Sequence, residues 1–492
     1  MRPTSRAPSS VSPADCRHCS RLAREPIRRV DIRERASLPA VTVAPRQLVD
    51  AAEIARRWIR YQAMRRQVPG ISFGLSHRGQ VVMLDARGTA DLASGRAATP
   101  DTTSYRCASI TKTMTATLVM QQVEAGRLRL DEPIATYLAW TRRLPHAKDI
   151  SIRHLLVHGS GVIRDGSNRW GDDDFPDRET VRKEVRQQLT FAEPATTFRY
   201  SNIAYVLLGE VLEAVSGKPF EALLQRDILG PLGLKASAPS LLPRVRRTLA
   251  TGYYHRRPGE EPHPARHAEA RAFGPAGGLV STVPDLLTYQ HAHFPGAGHL
   301  IADLSRREMQ RTQWLRHEEP NHGLGWMIWH VDGITIRGHS GGYPGFTTKI
   351  GFSPEWGLAA AVLNNTNSPV PGLALDAIFH SVAWVARRWG DAAETARGHS
   401  RVSAGRFAGH YRGDIGEMTV ARINRALYLF DPEMIMPLAS AARLHPTGAR
   451  RFTIVEGDDY GHFGEEVSFA VDSSGRSTAM RYGPHTLLRA DV

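Results

Sequence analysis

The chain has 492 residues, of which 41% are hydrophobic and 23% are charged, and its formal net charge is +14. These values are typical of a folded protein, and the length predicts two domains rather than one. No run of about 18 apolar residues occurs, so the sequence predicts no integral membrane segment. The basic residues form no block with interleaved aromatic side chains, which argues against a nucleic-acid partner.

Residues 1–45 are rich in Arg, Pro, Ser and Ala and lack apolar periodicity, which predicts a disordered basic tail. Cys16 and Cys19 form a C-x-x-C pair there, but no second pair follows, and a structural zinc site needs about four ligands. A redox or metal protein is therefore the weaker alternative. The tail lacks the apolar core of a secretory signal, so the sequence as written predicts a cytoplasmic protein. A periplasmic or extracellular location stays open if the start is mis-set.

The folded part is predicted to begin with a helix and a hairpin. Apolar residues recur at helical spacing from Arg46 to about Arg66, and P-G at 69–70 then ends the helix. The short apolar runs at 71–75 and 81–84 are separated by a turn, and they predict two paired strands.

The next stretch carries a serine and a lysine three residues apart, Ser109 and Lys112, in the S-x-x-K sequence S-I-T-K. At the start of a predicted helix this spacing puts both side chains on one face. A lysine held away from water loses its proton more readily and can accept the proton of a serine hydroxyl, which is what a hydroxyl nucleophile needs. Alone the motif is weak, because a serine at a helix start is usually an N-cap.

Two further boxes follow in chain order, Y-S-N at 200–202 and H-S-G-G at 339–342. With S-x-x-K they resemble the three boxes of serine β-lactamases and penicillin-binding proteins. Tyrosine in the second box and histidine in the third make the chain similar to the class C β-lactamase-like serine hydrolases. That family also includes D,D-carboxypeptidases, D-aminopeptidases and esterases.

The resemblance implies an acyl-enzyme mechanism for hydrolysis of an ester or amide, including D-amino-acid peptides and β-lactams. Ser109 would attack the carbonyl carbon. Lys112 and Tyr200 would share the proton transfers, with Tyr200 acting as a phenolate of lowered pKa or as a relay. Asn202 would orient Lys112 and the substrate amide.

The third box would bind the substrate through His339, Gly341 and Gly342. The oxyanion would lie between the backbone N–H groups of Ser109 and Gly342. His339 stands where many β-lactamases have lysine, and a histidine that is neutral at pH 7 holds a carboxylate less strongly. This departure favours esters, amides or D-amino-acid peptides over β-lactams as substrates.

Two further stretches resemble the same family, 150–161, which ends in H-G-S-G, and 274–282. We expect the first to pack beneath the site and the second to line the cleft. The polar segment 163–185 is predicted to be an exposed loop bordering the cleft. Three histidines between residues 254 and 272 lack the H-E-x-x-H pattern, so the sequence predicts a mobile lid there and neither a metal nor a cofactor.

The resemblance covers roughly residues 46–390 and implies an α+β domain of the β-lactamase/transpeptidase type, with an antiparallel sheet flanked by helices plus a helical subdomain. A closing helix is expected near 370–388, followed by a polar linker at 391–404. From 405 to 492, short strand patterns separated by turns predict a small all-β barrel. It resembles the lipocalin-like domains attached to some members of the family, and a role in homo-oligomerisation stays open.

A different class of function also stays open. The chain could be a catalytically silent binding or scaffold protein that keeps the fold. The presence of Ser109, Lys112, Tyr200 and Asn202 together argues against this reading, because a silent relative has no need of all four. The expected partner is therefore a small-molecule or peptide substrate.

Overall fold

The computed structural model describes residues 43–166, 175–187, 192–254, 260–394, 404–457 and 463–490. Residues 1–42 of the predicted tail, which include Cys16 and Cys19, lie outside these ranges. Among the described residues, no helix combines the length and the apolar character needed to cross a bilayer.

An eight-stranded antiparallel sheet organises residues 70–364. Its strands, in spatial order, are β3 (Arg96–Ala97), β2 (Gln80–Asp91), β1 (Gly70–His77), β12 (Leu358–Asn364), β11 (Phe346–Ser353), β10 (Ile334–Tyr343), β9 (Met327–Val331) and β8 (Asn321–His322). Two short pairs lie apart from it, β4 (Tyr105–Arg106) with β7 (Val280–Ser281), and β5 (Tyr253–Tyr254) with β6 (His263–Pro264).

Helices cover both faces of this sheet. The α-helices of the described residues are α1 (Pro45–Arg65), α2 (Thr111–Glu124), α3 (Ile134–Tyr137), α4 (Ile152–Leu156), α5 (Arg178–Gln187), α6 (Asn202–Ser216), α7 (Phe220–Leu224), α8 (Pro243–Arg246), α9 (Gly274–Gly277), α10 (Val283–His291), α11 (Asp303–Gln310) and α12 (Val370–Glu394). Helix α1 and the β1–β2 hairpin confirm the predicted helix and paired strands.

The central strand β12 is buried along its whole length, and its residues alternate between two cores. Leu358, Ala360 and Val362 pack with α1 and α12 on one face. Ala359 and Leu363 pack on the other face, in the core that contains α2, α6 and α10. Successive side chains of a strand point to opposite faces, so an apolar run of this kind is what a doubly covered strand requires.

The C-terminal part is a closed antiparallel barrel of eight strands. They are β13 (Gly409–Gly413), β14 (Gly416–Ile423), β15 (Ala426–Phe430), β16 (Ala442–Pro446), β17 (Arg451–Glu456), β18 (Glu466–Val471), β19 (Ser477–Tyr482) and β20 (His485–Ala490). Pairing of β13 with β20 closes the ring. Together with the helix-covered sheet, this barrel confirms the predicted fold class.

The barrel packs against helix α1. Leu427 and Leu429 of β15 fill the barrel interior, whereas Tyr428 between them belongs to the core of α1 and α12. Two side chains of α1 also bond to the loop after β15: Trp58 Nε1 donates to the Met434 carbonyl at 3.1 Å, and Gln62 donates to a neighbouring carbonyl at 2.8 Å. The barrel is therefore held to the helix by apolar packing and directed hydrogen bonds.

Two expectations from the sequence need correction. The segment 163–185 is not a loop throughout, because α5 begins at Arg178; residues 167–174 of it lie outside the described ranges. Only Val181 and Val185 of α5 are buried, so its apolar stripe is too narrow to stand out from the sequence. The predicted linker at 391–404 also begins too early, since α12 extends to Glu394, and residues 395–403 are not described.

We expect Trp58→Ala to lower the free energy of unfolding by about 3–5 kcal/mol, because it removes a large core side chain that is 1% exposed. Val49→Ala on the same helix, at a position 58% exposed, should change stability by no more than about 0.5 kcal/mol. Urea denaturation monitored by far-UV circular dichroism measures the stability of both variants, and this signal does not depend on the tryptophan that is removed. Equal midpoints for the two variants would contradict the packing of α1 described here.

Candidate active site

The serine of the first box lies in a short 3₁₀-helix, Ala108–Ile110, that leads directly into α2. Ala108 has a φ of 50°, a left-handed conformation that a non-glycine residue adopts only when its surroundings hold it there. Hydrogen bonding of the Cys107 N–H to the Leu279 carbonyl, at 2.8 Å, fixes the chain just before this turn. Ser109 is thus presented on a rigid turn at the start of a buried helix.

Lys112 lies one turn further along and is fully buried. Its Nζ is 2.8 Å from Ser109 Oγ, 2.6 Å from Asn202 Oδ1 and 2.8 Å from the Ala276 carbonyl oxygen. Burial lowers the pKa of Lys112 well below the usual lysine range; the Asp165 carboxylate opposes this shift and the Arg164 guanidinium adds to it. The environment therefore favours the neutral amine.

The three partners of Lys112 determine where its lone pair points. A neutral amine has two N–H donors and one lone pair. The Asn202 and Ala276 oxygens can only accept, so they take the two N–H groups. In this neutral form the lone pair is left for Ser109 Oγ, and the serine hydroxyl becomes the donor; in the ammonium form Nζ donates to Ser109 Oγ. The neutral form gives the arrangement of a general base next to a nucleophile.

Tyr200 stands beside these two residues and lines the cleft. Its ring centroid is 5.1 Å from Lys112 Nζ, and its hydroxyl forms a hydrogen bond with Ser109. Burial raises the pKa of Tyr200 above the usual tyrosine value, although the bond to Ser109 and the charge of Arg164 oppose the shift. Tyr200 is therefore a neutral phenol in the resting site, which counts against the predicted phenolate of lowered pKa.

The H-G-S-G stretch packs beneath Tyr200, as its position in the sequence predicts. The ring of His158 is 4.3 Å from that of Tyr200, centroid to centroid, and its Nδ1 accepts the Ser201 N–H at 3.1 Å. Burial lowers the pKa of His158 well below the usual histidine range. At Gly159 a β-carbon would lie 2.4 Å from the Trp314 ring, so the glycine allows that tryptophan to pack.

The third box lies in β10, opposite Tyr200. His339 is 2% exposed, and burial lowers the pKa of its imidazole to about 3. Its Nδ1 lies 2.6 Å from the Ser340 carbonyl oxygen, which can only accept, so Nδ1 carries the proton. Nε2 is then an acceptor, and the side chain contributes no positive charge to the cleft.

The two glycines of the third box have different environments. A β-carbon at Gly341 would lie 2.2 Å from the Cys107 carbonyl oxygen, so only a glycine here lets β10 approach the turn that carries the predicted nucleophile Ser109, which we call the nucleophile turn. Thr348 of the neighbouring strand donates to the same carbonyl at 3.1 Å. Gly342 faces open space at the cleft. Gly341 therefore joins the strand to the nucleophile turn and does not line the cleft.

The cleft in front of Ser109 has a volume of about 320 Å³. Its lining residues are Ser109, Arg164, Tyr200, Asn202, Met327, His339, Ser340 and Gly342. Five of the seven predicted site residues are among them, and Lys112 lies directly behind. Among the described residues that line the cleft, the exposed Arg164 is the one with a permanent charge.

Sequence reasoning missed three contributors to this site. Arg164 and Asp165 come from the segment predicted to border the cleft, but nothing in the sequence singled them out within it. Ala276 contributes only a backbone carbonyl, which has no side-chain signature. The stretch 274–282 was expected to line the cleft, and the structure places it behind Lys112 instead.

No group of three or more His, Cys, Asp or Glu residues that could hold a metal ion occurs among the described residues. Of the three histidines between 254 and 272, His255 lies outside the residues that the structure describes, and His263 is exposed in β6. The absence of a cofactor or metal stays a prediction from the sequence.

The fold and the arrangement of the three boxes can be compared with known proteins. The chain is 28% identical over 328 residues to penicillin-binding protein 4 of Amycolatopsis lactamdurans, covering 62% of this chain and 84% of that protein. It is 28% identical over 371 residues to esterase EstB of Burkholderia gladioli, covering 65% of this chain and 92% of that protein.

A solved structure shows the same fold over most of the chain. The octameric penicillin-binding protein homologue from Pyrococcus abyssi superposes with a TM-score of 0.61 at 23% identity, over 88% of this chain and 99% of that one. The family model described as Beta-lactamase matches residues 51–383, well over half of the sequence. The chain therefore belongs to the Beta-lactamase family, the family of serine hydrolases that the three boxes predicted.

Proposed function

We propose that the protein hydrolyses esters or amides through an acyl-enzyme in which Ser109 is the nucleophile and Lys112 the general base. The observation that carries this proposal is the environment of Lys112 Nζ. Nζ is buried and lies 2.8 Å from Ser109 Oγ, and its other two partners are oxygens that can only accept, so the neutral form of the amine would direct its lone pair at the serine. A weak hydroxyl nucleophile needs such a neighbour to remove its proton.

The proposed first step forms a bond between Ser109 Oγ and the substrate carbonyl carbon while the hydroxyl proton passes to Lys112 Nζ. The tetrahedral intermediate carries its negative charge on the former carbonyl oxygen. The backbone N–H groups of Ser109 and Gly342 are the proposed donors to this oxyanion, and one such donor is worth about 10²–10³ in rate. Gly342 lies at the cleft, which supports its place in this pair.

In the second step the bond to the leaving oxygen or nitrogen breaks, and the leaving atom takes up a proton. Tyr200 is suited to relay that proton from Lys112, because it is a neutral phenol hydrogen-bonded to Ser109 and adjacent to the amine. Water then attacks the acyl-enzyme with Lys112 again as the base, which returns Ser109 to its hydroxyl form.

The neutrality of His339 favours substrates that need no cation at the third box. With its pKa lowered to about 3, this side chain offers a hydrogen-bond acceptor and no charge for a substrate carboxylate. Esters, amides and D-amino-acid peptides therefore fit the proposal better than β-lactams. The similarity to a protein named as an esterase supports this direction.

The alternative is a catalytically silent binding protein with the same fold.

Homo-oligomerisation is a separate proposal, supported by the octameric state named for the Pyrococcus abyssi relative. Light scattering of the full chain tests it, since a monomeric mass over a wide concentration range would contradict it.

Labelling with a fluorophosphonate tests the proposed function without knowledge of the true substrate. We expect intact-mass analysis to show one adduct on the wild-type protein and none on Ser109→Ala, because only a serine beside a base reacts readily. Ser340→Ala is the matched control, since it removes the other serine of the cleft and should leave the adduct in place. An unlabelled wild-type protein would favour the silent binding protein.

His339→Lys should raise the rate of β-lactam hydrolysis relative to that of an activated ester. The added ammonium can hold the substrate carboxylate, and a charge-assisted hydrogen bond of about 1.5 kcal/mol corresponds to roughly a tenfold change in that ratio. His339→Asn, which is polar but uncharged, should leave the ratio near the wild-type value. Steady-state kinetics with nitrocefin and p-nitrophenyl acetate measures both, and an unchanged ratio in the lysine variant would count against this reading of substrate preference.

A further inference from the structure

We infer that Asp165 is a positioning residue that fixes the orientation of the Asn202 carboxamide and thereby directs the lone pair of Lys112 at Ser109. This inference rests on the proposed roles of Ser109 and Lys112 and extends them to a residue outside the three boxes. Three successive contacts connect the carboxylate to the nucleophile, through Asn202 and then Lys112.

The first of these contacts determines which way the amide faces. Asn202 Nδ2 donates to Asp165 Oδ1 at 2.5 Å, and Asn202 Oδ1 accepts from Lys112 at 2.6 Å. A carboxylate can only accept, so it selects the orientation with the NH₂ group toward it. A flipped amide would place its oxygen against the carboxylate, and that contact between two acceptors is unfavourable.

The orientation of the amide controls the base. If Asn202 turned its NH₂ group toward Lys112, the lone pair of the neutral amine would be drawn to that donor and away from Ser109. The nucleophile would then lose its proton acceptor even though every residue of the three boxes was still present. Asp165 prevents this by supplying the acceptor that the NH₂ group needs.

Backbone contacts hold Asp165 at the required place. The Arg164 carbonyl accepts the N–H groups of Asn202 at 2.8 Å and Ile203 at 3.1 Å. Ser201 Oγ donates to the Ile163 carbonyl at 2.5 Å while capping α6 by accepting the Ala204 N–H. The segment 163–165 is thus tied to the first turn of α6.

The other oxygen of Asp165 is also occupied, because Arg164 Nε donates to Oδ2 at 2.9 Å. Arg164 itself is exposed and lies over the Tyr200 ring, with 5.6 Å between the guanidinium carbon and the ring centroid. Adjacent residues therefore place one negative and one positive charge at the same edge of the site.

These two charges act on Lys112 in opposite directions. The titratable and charged groups that face its amine from the surrounding elements are His158, Arg164, Asp165, Tyr200, Tyr205 and His339. Burial lowers the pKa of both histidines and raises that of both tyrosines, which keeps all four neutral. Asp165 raises the pKa of Lys112, and Arg164 lowers it.

The test is the pH dependence of the second-order rate of fluorophosphonate labelling, which needs Lys112 in its neutral form. The rate should fall at low pH as Lys112 takes up a proton, and this fall is the acid limb of the profile. Asp165→Asn removes the negative charge, so the pKa of Lys112 falls and the acid limb moves to lower pH. Arg164→Gln removes the positive charge, so the limb moves to higher pH. Opposite shifts from neighbouring residues are a result that a general loss of structure would not produce.

Asp165→Ala separates the hydrogen bond from the charge. Asparagine at 165 still offers an oxygen to Asn202 Nδ2, whereas alanine offers none, so the alanine variant should label at its plateau about tenfold to a hundredfold more slowly than the asparagine variant. Thermal melts of both variants identify any loss of folding, and Asp165→Leu, which is close to asparagine in size and offers no acceptor, takes the place of the alanine variant if that variant does not fold.

The outcomes distinguish this inference from the proposal on which it rests. A wild-type protein that is labelled at Ser109, together with equal plateau rates in the asparagine and alanine variants at 165, would overturn the role of Asp165 alone. A wild-type protein that is not labelled at all would overturn the proposed function and this inference with it. Labelling at Ser109, with opposite shifts of the acid limb and a slower plateau rate in the alanine variant, supports both.

Discussion

The buried amine of Lys112 is the feature on which the rest of the site depends. An ammonium ion removed from water is strongly disfavoured unless a counter-ion is in contact with it, and here the direct partners are a hydroxyl, an amide oxygen and a backbone carbonyl. Desolvation therefore lowers the pKa of this lysine and suits it to the proposed role of base. The chain must bring Asn202 and Ala276 to this amine from 90 and 164 residues away, so the base exists only in the folded protein.

Several elements cooperate to keep that amine dry and in place. Helix α2 is buried on nearly every side, which fixes the separation of Ser109 and Lys112. On its flank, β10 approaches the nucleophile turn closely because Gly341 lacks a side chain, and Thr348 bonds the same Cys107 carbonyl. A proton transfer over 2.8 Å tolerates little misplacement of either atom. The tight packing therefore provides the fixed separation of Ser109 and Lys112 that the proposed chemistry needs.

The sequence predicted most of what local spacing can encode. One helical turn between Ser109 and Lys112, the first helix, the hairpin and the barrel strands all follow from patterns within a few residues. The Ala276 carbonyl could not be predicted, because a backbone acceptor is specified by tertiary packing and not by residue type. The raised pKa of Tyr200 could not be predicted either, because the sequence shows a tyrosine in the second box but not how far the fold buries it from water.

Neutral groups in the resting site also explain how the proposed reaction would gain from its surroundings. Before attack, burial lowers the pKa values of both Lys112 and His339, which disfavours a charge on either of these groups beside Ser109. When Lys112 takes the serine proton, an ammonium and an oxyanion appear together in a region of low dielectric, where their attraction is much stronger than in water. The Asn202 oxygen, held toward Lys112 by Asp165, then faces a full positive charge. The contacts around Lys112 and the oxyanion are thus weak in the resting state and strongest in the transition state. Catalysis requires this difference, because only interactions that are stronger in the transition state raise the rate.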